Sequence, residues 1–327
     1  MKNYIISIPS KNNQDTIASV TKTIALGIKK YFPNERCLIL NCDGNSTDKT
    51  VEFFLNADTP GVEKVSLKET GKEGKGSGLK NVFEYIKKEK ADAGATFDAD
   101  LKAITPEWIK EMLSPIINQG YDYVAPYYLR HQYDGTITNT IAYPLTTALY
   151  GKEIRQPIGG DFAFSNRMVN RWLEKEIPYD FGIDIFMTAT ALAENFKVCQ
   201  AYLGPKIHST KDPDDLKKMF MEVVSQLFKL TNIYQDHWKT INQIEKVSVF
   251  GTKSTTTPPE INIDLQKLRE YGTISQEKWV ETVYHYLISK EEISGLVPYY
   301  LKAAASLIFD HWNLEKLTEE FLRQKPK

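Results

Sequence analysis

Cysteine is scarce in this chain. Three of 327 residues are cysteine, Cys37, Cys42 and Cys199, and no two form a CxxC pair. An odd count without such a pair argues against a disulfide framework and against a cysteine zinc site. It leaves reduced thiols packed in an interior, as expected of a cytoplasmic protein. Long apolar runs are missing as well. No stretch approaches the roughly 18 residues that a membrane span needs, so none is expected. The opening MKNYIISIPSKN holds an apolar run too short for a signal peptide and passes at once into a strand pattern. Net charge is nearly absent: 41 basic residues face 42 acidic ones, a formal −1. No global field is available to draw in nucleic acid or an anionic membrane, although a local basic pocket remains open. There is no internal repeat, and the only biased tract is a threonine loop at 252–259.

The remaining composition, 42% hydrophobic and 25% charged, is that of a globular chain. Its length suits one large α/β domain with an appendage, or two domains. Strand and helix patterns alternate through the first half. Residues 4–8, 37–41, 62–67, 94–97 and 121–128 read as strands, with a later one at 197–203. Residues 16–31 carry Ile17, Val20, Ile24 and Ile28 at helical spacing. Residues 46–56, with Ser46 or Thr47 as cap, 78–90 and 105–118 also read as helices. The last begins Thr105-Pro106-Glu107 and stops at Gly120. Such alternation implies parallel strands with helices on both faces. After about residue 210 the pattern turns helical, over 214–242, 262–292 and 296–323. The expected division is therefore 1–210, an α/β nucleotide-binding domain, and 211–327, a helical extension. Leu265, Leu268, Tyr271, Trp279, Val283, Tyr286, Leu287, Leu301, Leu307, Trp312 and Leu317 give that extension more apolar surface than isolated helices cover. It must pack on the first domain or on a second subunit, and a homodimer is the expectation.

Five constellations can carry chemistry. Asp98-Ala99-Asp100 follows the strand at 94–97. Ligands of open α/β sheets bind beyond the carboxyl ends of strands. Two carboxylates one residue apart repel unless a hard divalent ion joins them and takes phosphate oxygens on its other side. A solvated turn is the plain alternative. In the segment from Asn41 to Thr50, Asp43 sits at a strand tip where it can face a ribose or base, and Asp48 stabilises a helix start. The Gly71–Gly78 run, GKEGKGSG, can bring backbone N–H groups and Lys75 to an anion, but lacks Walker A spacing. Flexible filler is an equal reading of it. Gly159-Gly160-Asp161 permits close backbone approach, and Gly182-Ile183-Asp184 follows, where Asp184 could instead cap a helix. His208 ends the late strand and could complete a metal site, though one histidine is usually structural.

Together these residues resemble the GT-A (Rossmann-like) glycosyltransferases. The opening Ile8-Pro9-Ser10-Lys11-Asn12-Asn13 is similar to the family's strand, proline and Asn-Glu, with Asn13 in place of the usual Glu. Cys42-Asp43-Gly44-Asn45-Ser46-Thr47-Asp48 resembles the family's DDGSTD, and Gly74-Lys75-Gly76 its GKG segment near the nucleotide phosphates. Asp98-Ala99-Asp100 matches the metal-binding DxD. Within the group the chain most resembles the retaining mannosylglycerate and glucosyl-3-phosphoglycerate synthases, over residues 4 to about 210. The resemblance implies a donor site of Pro9, Ser10, Asn13, Asp43, Lys75, Gly76, Asp98 and Ala99. It implies Mg²⁺ or Mn²⁺ on Asp98, Asp100 and His208, and an acceptor pocket of Gly159, Gly160, Asp161 and Asp184. Asp161 and Asp184 are the catalytic candidates. The implied activity moves a hexose from a nucleotide-diphosphate sugar to a small, glycerate-like hydroxyl acceptor with retention.

The inverting family-2 glycosyltransferases are the runner-up, with Asp184 as general base. Arg171-Trp172 follows Met168, so the QxxRW of processive members is absent. A nucleotidyltransferase would carry a Gly-rich basic loop after the first strand, where this chain has Pro9-Ser10-Lys11-Asn12-Asn13. A catalytically inactive sugar-nucleotide-binding protein is the reading from another class, and turnover on a panel of nucleotide sugars separates it from an enzyme.

Overall fold

A computed structural model describes residues 3–131, 134–207, 213–214, 216–258 and 263–326. Its elements run β1 (Asn3–Ser10), α1 (Ile17–Tyr31), β2 (Arg36–Asp43), α2 (Thr50–Asn56), β3 (Glu63–Lys68), α3 (Lys75–Lys88), β4 (Ala93–Thr96), α4 (Pro106–Gln119) and β5 (Tyr123–Leu129). A fully buried π-helical turn (Thr138–Ala142) leads into α5 (Tyr143–Tyr150), β6 (Lys152–Glu153), β7 (Phe162–Ser165), α6 (Asn166–Leu173), α7 (Gly182–Ala193) and β8 (Val198–Pro205). There follow α8 (Lys217–Ile233), α9 (Gln235–Trp238), β9 (Glu245–Lys246), β10 (Val249–Phe250), α10 (Leu265–Glu270), α11 (Gln276–Ser289), a 3₁₀ turn (Ile293–Leu296), α12 (Val297–Phe309) and α13 (Leu314–Arg323).

Among the described residues the main sheet has the order β10-β8-β5-β7-β4-β1-β2-β3. Side chains alternate across it with the period of two that a strand imposes. Ile5, Leu38, Leu40 and Cys42 join one apolar layer, while Tyr4, Ile6, Ile8 and Ile39 join the other. The second layer is closed by α1 and α4, whose Ile17, Val20, Ile24, Trp108, Ile109 and Met112 are buried at helical spacing. Helices α3, α6 and α7 cover the opposite face. One strand departs from the expected all-parallel pattern: β7 lies antiparallel between β4 and β5. Its partners come from distant parts of the chain, so no local period reports its direction.

Helix starts also differ from expectation, and α3 begins at Lys75, inside the glycine-rich run, not at residue 78. The second helix begins at Thr50, not at residue 46, because side chains at 43–48 are engaged in loop contacts. Asp43 accepts from Ser46 N–H at 3.0 Å, and the Ser46 hydroxyl accepts from Asn12 N–H at 2.9 Å. Asp48 accepts from Thr50 N–H at 3.0 Å, as its place at the helix start implied. Thr105 precedes α4 in an extended conformation but makes no capping bond, and Gly120 ends the helix at φ +66°.

The C-terminal part shares the first part's core. Trp279 donates its indole N–H to Thr140 O at 2.8 Å, the Thr136 and Tyr300 hydroxyls lie 2.8 Å apart, and Phe220 stacks on Tyr300. Leu268, Trp279, Val283, Leu287, Leu301, Leu307 and Leu317 are buried, and Leu265 is exposed. Most of that apolar surface is thus covered within one chain, by the first of the two routes expected. This part is not wholly helical, for β10 extends the main sheet and β9 pairs with β6. The expected boundary at 210/211 lies outside the described residues. No described helix is long and apolar enough to cross a membrane.

Candidate functional site

The carboxyl ends of β1, β2 and β4 open on one side of the sheet, because these neighbours are parallel. Pro9 and Ser10 end β1 opposite Cys42 and Asp43, and the Ser10 hydroxyl donates to Asn41 Oδ1 at 2.7 Å. Asn13 ties the following loop to α2 through its N–H to Thr50 Oγ1 at 2.7 Å, and its carbonyl accepts the first amides of α1. Asp43 is buried, and its Oδ1 has no hydrogen-bond partner among the described residues. Most buried acceptors are paired, so an orphaned one at a sheet's ligand edge marks a place for a ligand's donor.

Asp98 is placed by its backbone and by a glycine. Its N–H donates to Asp161 Oδ1 at 2.8 Å. Gly160, at φ +89°, lies against it so closely that a Cβ there would stand 2.2 Å from Asp98 Oδ2. A hydroxyl bond from Thr16 to Ala99 O at 2.7 Å ties the loop to α1. Asp100 is exposed on the same loop.

A buried charge cluster surrounds Asp98. Lys75 Nζ lies 3.3 Å from Asp98 Oδ1 and 3.1 Å from Asp184 Oδ1. Lys206 Nζ lies 3.1 Å from Asp98 Oδ2, 3.1 Å from Asp161 Oδ2 and 2.7 Å from Gly159 O. The Tyr128 hydroxyl also donates to Asp161. Burial alone would lower Lys75, but the Asp184 and Asp98 carboxylates raise it overall. Burial opposes ionisation of Asp98, yet the Lys75 and Lys206 ammoniums hold it below the usual carboxylate range. Asp184 and Asp161 are pushed up by burial. Three carboxylates face two ammoniums, an excess of negative charge in a partly closed space.

The expected residues Lys75, Asp98, Gly159, Gly160, Asp161 and Asp184 thus meet at one point. Asp184 lies in the first turn of α7 and makes no cap there, and Asp180 accepts from Gly182 N–H instead. Asp161, the other catalytic candidate, lies in the same cluster. It is fully buried, and its oxygens are taken by Asp98 N–H, Tyr128 and Lys206. Gly76 packs against a neighbouring segment. Its N–H and that of Ser77 donate to Tyr179 O, and a Cβ at 76 would stand 1.9 Å from Pro178 O. The glycines there admit a neighbouring backbone, which occupies the amides expected to face an anion. His208 lies outside the described residues, though Lys102 N–H donates to Ile207 O at 3.4 Å, bringing the chain just before it beside the Asp98 loop. Lys206 and Tyr128 were not singled out from sequence. A lysine directly after the late strand was the available signal.

A family model for glycosyl transferase family 2 matches residues 5–177. Among solved structures the chain is similar to glucosyl-3-phosphoglycerate synthase from Mycobacterium tuberculosis in complex with Mg²⁺ and uridine diphosphate. The two are 21% identical over 71% of this chain and 80% of that chain, with a TM-score of 0.58. A second complex of that synthase, with Mn²⁺, uridine diphosphate and phosphoglyceric acid, is 21% identical over 70% and 78%, with a TM-score of 0.56. A structure described as a mycobacterial protein is 21% identical over 71% and 75%, with a TM-score of 0.58. At this identity the likeness is one of fold. No curated protein sequence matches the chain. The family match spans more than half of the chain and takes in Lys75, Asp98 and Asp161 of the charge cluster, and the protein belongs to glycosyl transferase family 2 and is a glycosyltransferase.

Proposed function

We propose that the protein is a divalent-cation-dependent hexosyltransferase. It takes the sugar from a nucleoside-diphosphate donor to the hydroxyl of a small, glycerate-like acceptor, with retention at the anomeric carbon. One observation carries this reading: a single ammonium, that of Lys75, bridges Asp98 and Asp184. The donor-side loop and the acceptor-side helix therefore meet within one side chain's reach. The similar synthase has been crystallised with Mn²⁺, uridine-diphosphate-glucose and phosphoglyceric acid, the same pairing of ligand types.

The residues fit a hard cation. The cluster has surplus negative charge, and its carboxylates are oxygen donors of the kind Mg²⁺ and Mn²⁺ prefer, with Lys75 and Lys206 on the two Asp98 oxygens in this structure. Asp98 and Asp100 would hold the ion, with His208 as the further ligand that the resemblance implies. The described residues alone contain no group of three or more His, Cys, Asp or Glu side chains placed to hold a metal ion. Bound there, the ion supplies neutralisation of charge on the departing diphosphate.

The chain's own groups do the rest. Asp43 takes a donor from the nucleoside. Lys75 gives charge-assisted bonds to diphosphate oxygens. Lys206 and Tyr128 fix Asp161, which holds the Asp98 loop through its N–H. Gly159 and Gly160 bring their backbone close against Pro126 and Asp98 on the acceptor side, and Asp184 accepts a hydrogen bond from the acceptor's attacking hydroxyl and orients it. In retention the hydroxyl arrives on the face that the diphosphate leaves, and the leaving phosphate oxygen takes the proton. The inverting reading has one observation in its favour: burial raises the proton affinity of Asp184, as a general base requires. Proton NMR of the first-formed product from an α-linked donor separates the two. An α-anomer is expected, and a β-anomer overturns retention and makes Asp184 the base. Absence of turnover across UDP-, GDP- and ADP-sugars would leave only a binding protein.

A further inference from the structure

We infer that a cavity between the β5 end of the sheet and the C-terminal helices is a pocket for an anionic group of the acceptor, a carboxylate or phosphate, with Arg155 as its principal ligand. The inference rests on the transferase reading above, which calls for an acceptor beside Asp184.

The cavity has a volume of about 360 Å³. Its polar wall is made by Arg130, Asn139, Arg155 and Gln156, and His311 and Trp312 close it from the C-terminal part. No aspartate or glutamate is among the described residues that line it. Arg130 is held by Asp134 at 2.8 Å and by Gln156 at 3.1 Å. Arg155 differs. One of its terminal nitrogens, Nη2, donates to Asn139 Oδ1 at 2.8 Å, and its guanidinium lies over the Tyr143 ring at 4.7 Å. The other, Nη1, is buried with no hydrogen-bond partner, and Arg155 makes no ion pair among the described residues. A guanidinium stays charged in a protein, and an uncompensated buried charge is costly. Asn139 and Tyr143 hold the group in place at the cavity wall, and a guanidinium so placed suits a planar or tetrahedral oxyanion.

The pocket adjoins the charge cluster. The Tyr128 ring forms part of the cavity wall, and its hydroxyl donates to Asp161. Arg130 lies 5.6 Å from that ring's centroid and Lys206 Nζ lies 5.0 Å from it. Gln156 O accepts Gly159 N–H at 3.2 Å, which links the pocket wall to the glycine pair. A small hydroxylated anion can therefore be gripped at one end by Arg155 while its hydroxyl turns toward the glycosyl site. The C-terminal helices then complete the acceptor site as well as the core.

Calorimetric titration of the full chain tests this. The nucleoside diphosphate with Mn²⁺ is titrated first, then inorganic phosphate at constant ionic strength. Phosphate is expected to bind the wild type. Arg155→Gln should weaken it at least tenfold, Arg155→Lys by less, and both should leave nucleotide affinity unchanged. Glycerate should displace phosphate, whereas glycerol, which lacks the carboxylate, should not. The pocket assignment is overturned if phosphate does not bind, if Arg155→Gln binds it equally, or if glycerate fails to displace it. Loss of nucleotide binding by the wild type would instead strike the donor reading, and the phosphate arm would still judge the pocket.

Discussion

Lys206→Met tests whether the buried cluster is ionic in the folded protein. The lysine side chain is 6% exposed, and its ammonium reaches Asp98, Asp161 and Gly159 O. Methionine retains most of the aliphatic stem and deletes the charge. Asp98 keeps Lys75 as a partner, so the loss falls chiefly on Asp161, which is fully buried. Removing one partner of a buried pair strands the other and costs about 3–5 kcal/mol. In urea the unfolding midpoint should fall accordingly, with the slope unchanged because the surface exposed on unfolding is the same. Asp161→Asn in the same background removes the stranded charge. The double variant should therefore be more stable than the sum of the single losses implies, by about 0.5–3 kcal/mol. A loss below about 1 kcal/mol for Lys206→Met, or strict additivity in the cycle, would refute the picture of an ionised Lys206–Asp161 pair. Glycosyl transfer should also fall, since Asp161 holds the Asp98 N–H.

Three further expectations bear on the site and the scaffold. Asp100 is exposed, so Asp100→Ala should keep the wild-type melting temperature while transfer is lost, and EDTA should abolish wild-type turnover until Mn²⁺ is restored; full activity in both experiments would remove the proposed metal ligand. Gly160→Ala puts a Cβ 2.2 Å from Asp98 Oδ2 at a left-handed φ, which should displace Asp98, lower stability by about 1–3 kcal/mol and reduce transfer, and an unchanged rate would show that Asp98 need not sit there. Burial opposes ionisation of Glu194, but bonds from Arg171, Lys175 and Tyr234 hold its carboxyl at about 2, below its ordinary 4.5. A depressed carboxylate contributes its full stability above the ordinary value and loses it as pH falls through the folded one. Glu194→Gln should therefore melt below the wild type at pH 7, and thermal scans should show the gap closing between pH 4.5 and 2.

Much of the nucleotide half was legible because its signals are local. Ile17, Val20, Ile24 and Ile28 repeat at helical spacing and all lie buried on α1. The apolar run ending at Asn41 lies within β2, and Gly120 ends α4 in the left-handed conformation. Asp98, Asp161 and Asp184 could each be singled out because a carboxylate beside glycines or at a strand end is a short-range pattern. Other features have no such trace. The Thr138–Ala142 turn and α5 are buried all round, so no amphipathic period announces them. Ser46 had the residue type of a cap, but Asn12 and Asp43 engage its groups from other segments.

The sequence by itself determined the alternation of strands and helices from β1 to β5, the α/β class and the identity of most charged residues at the site. Periodicity, turn chemistry and residue type are properties of neighbouring positions, and they survive without coordinates. Tertiary structure alone decided the antiparallel insertion of β7 between β4 and β5, two strands that lie well before it in the chain. It also decided that Lys75 faces Asp98 and Asp184 while its neighbour Gly76 receives the backbone of Pro178 and Tyr179. Lys206 and Arg155 show the same limit. One lysine is compensated by two carboxylates, and one arginine keeps a buried nitrogen without a partner, because residues far apart in the chain are brought to it or are not.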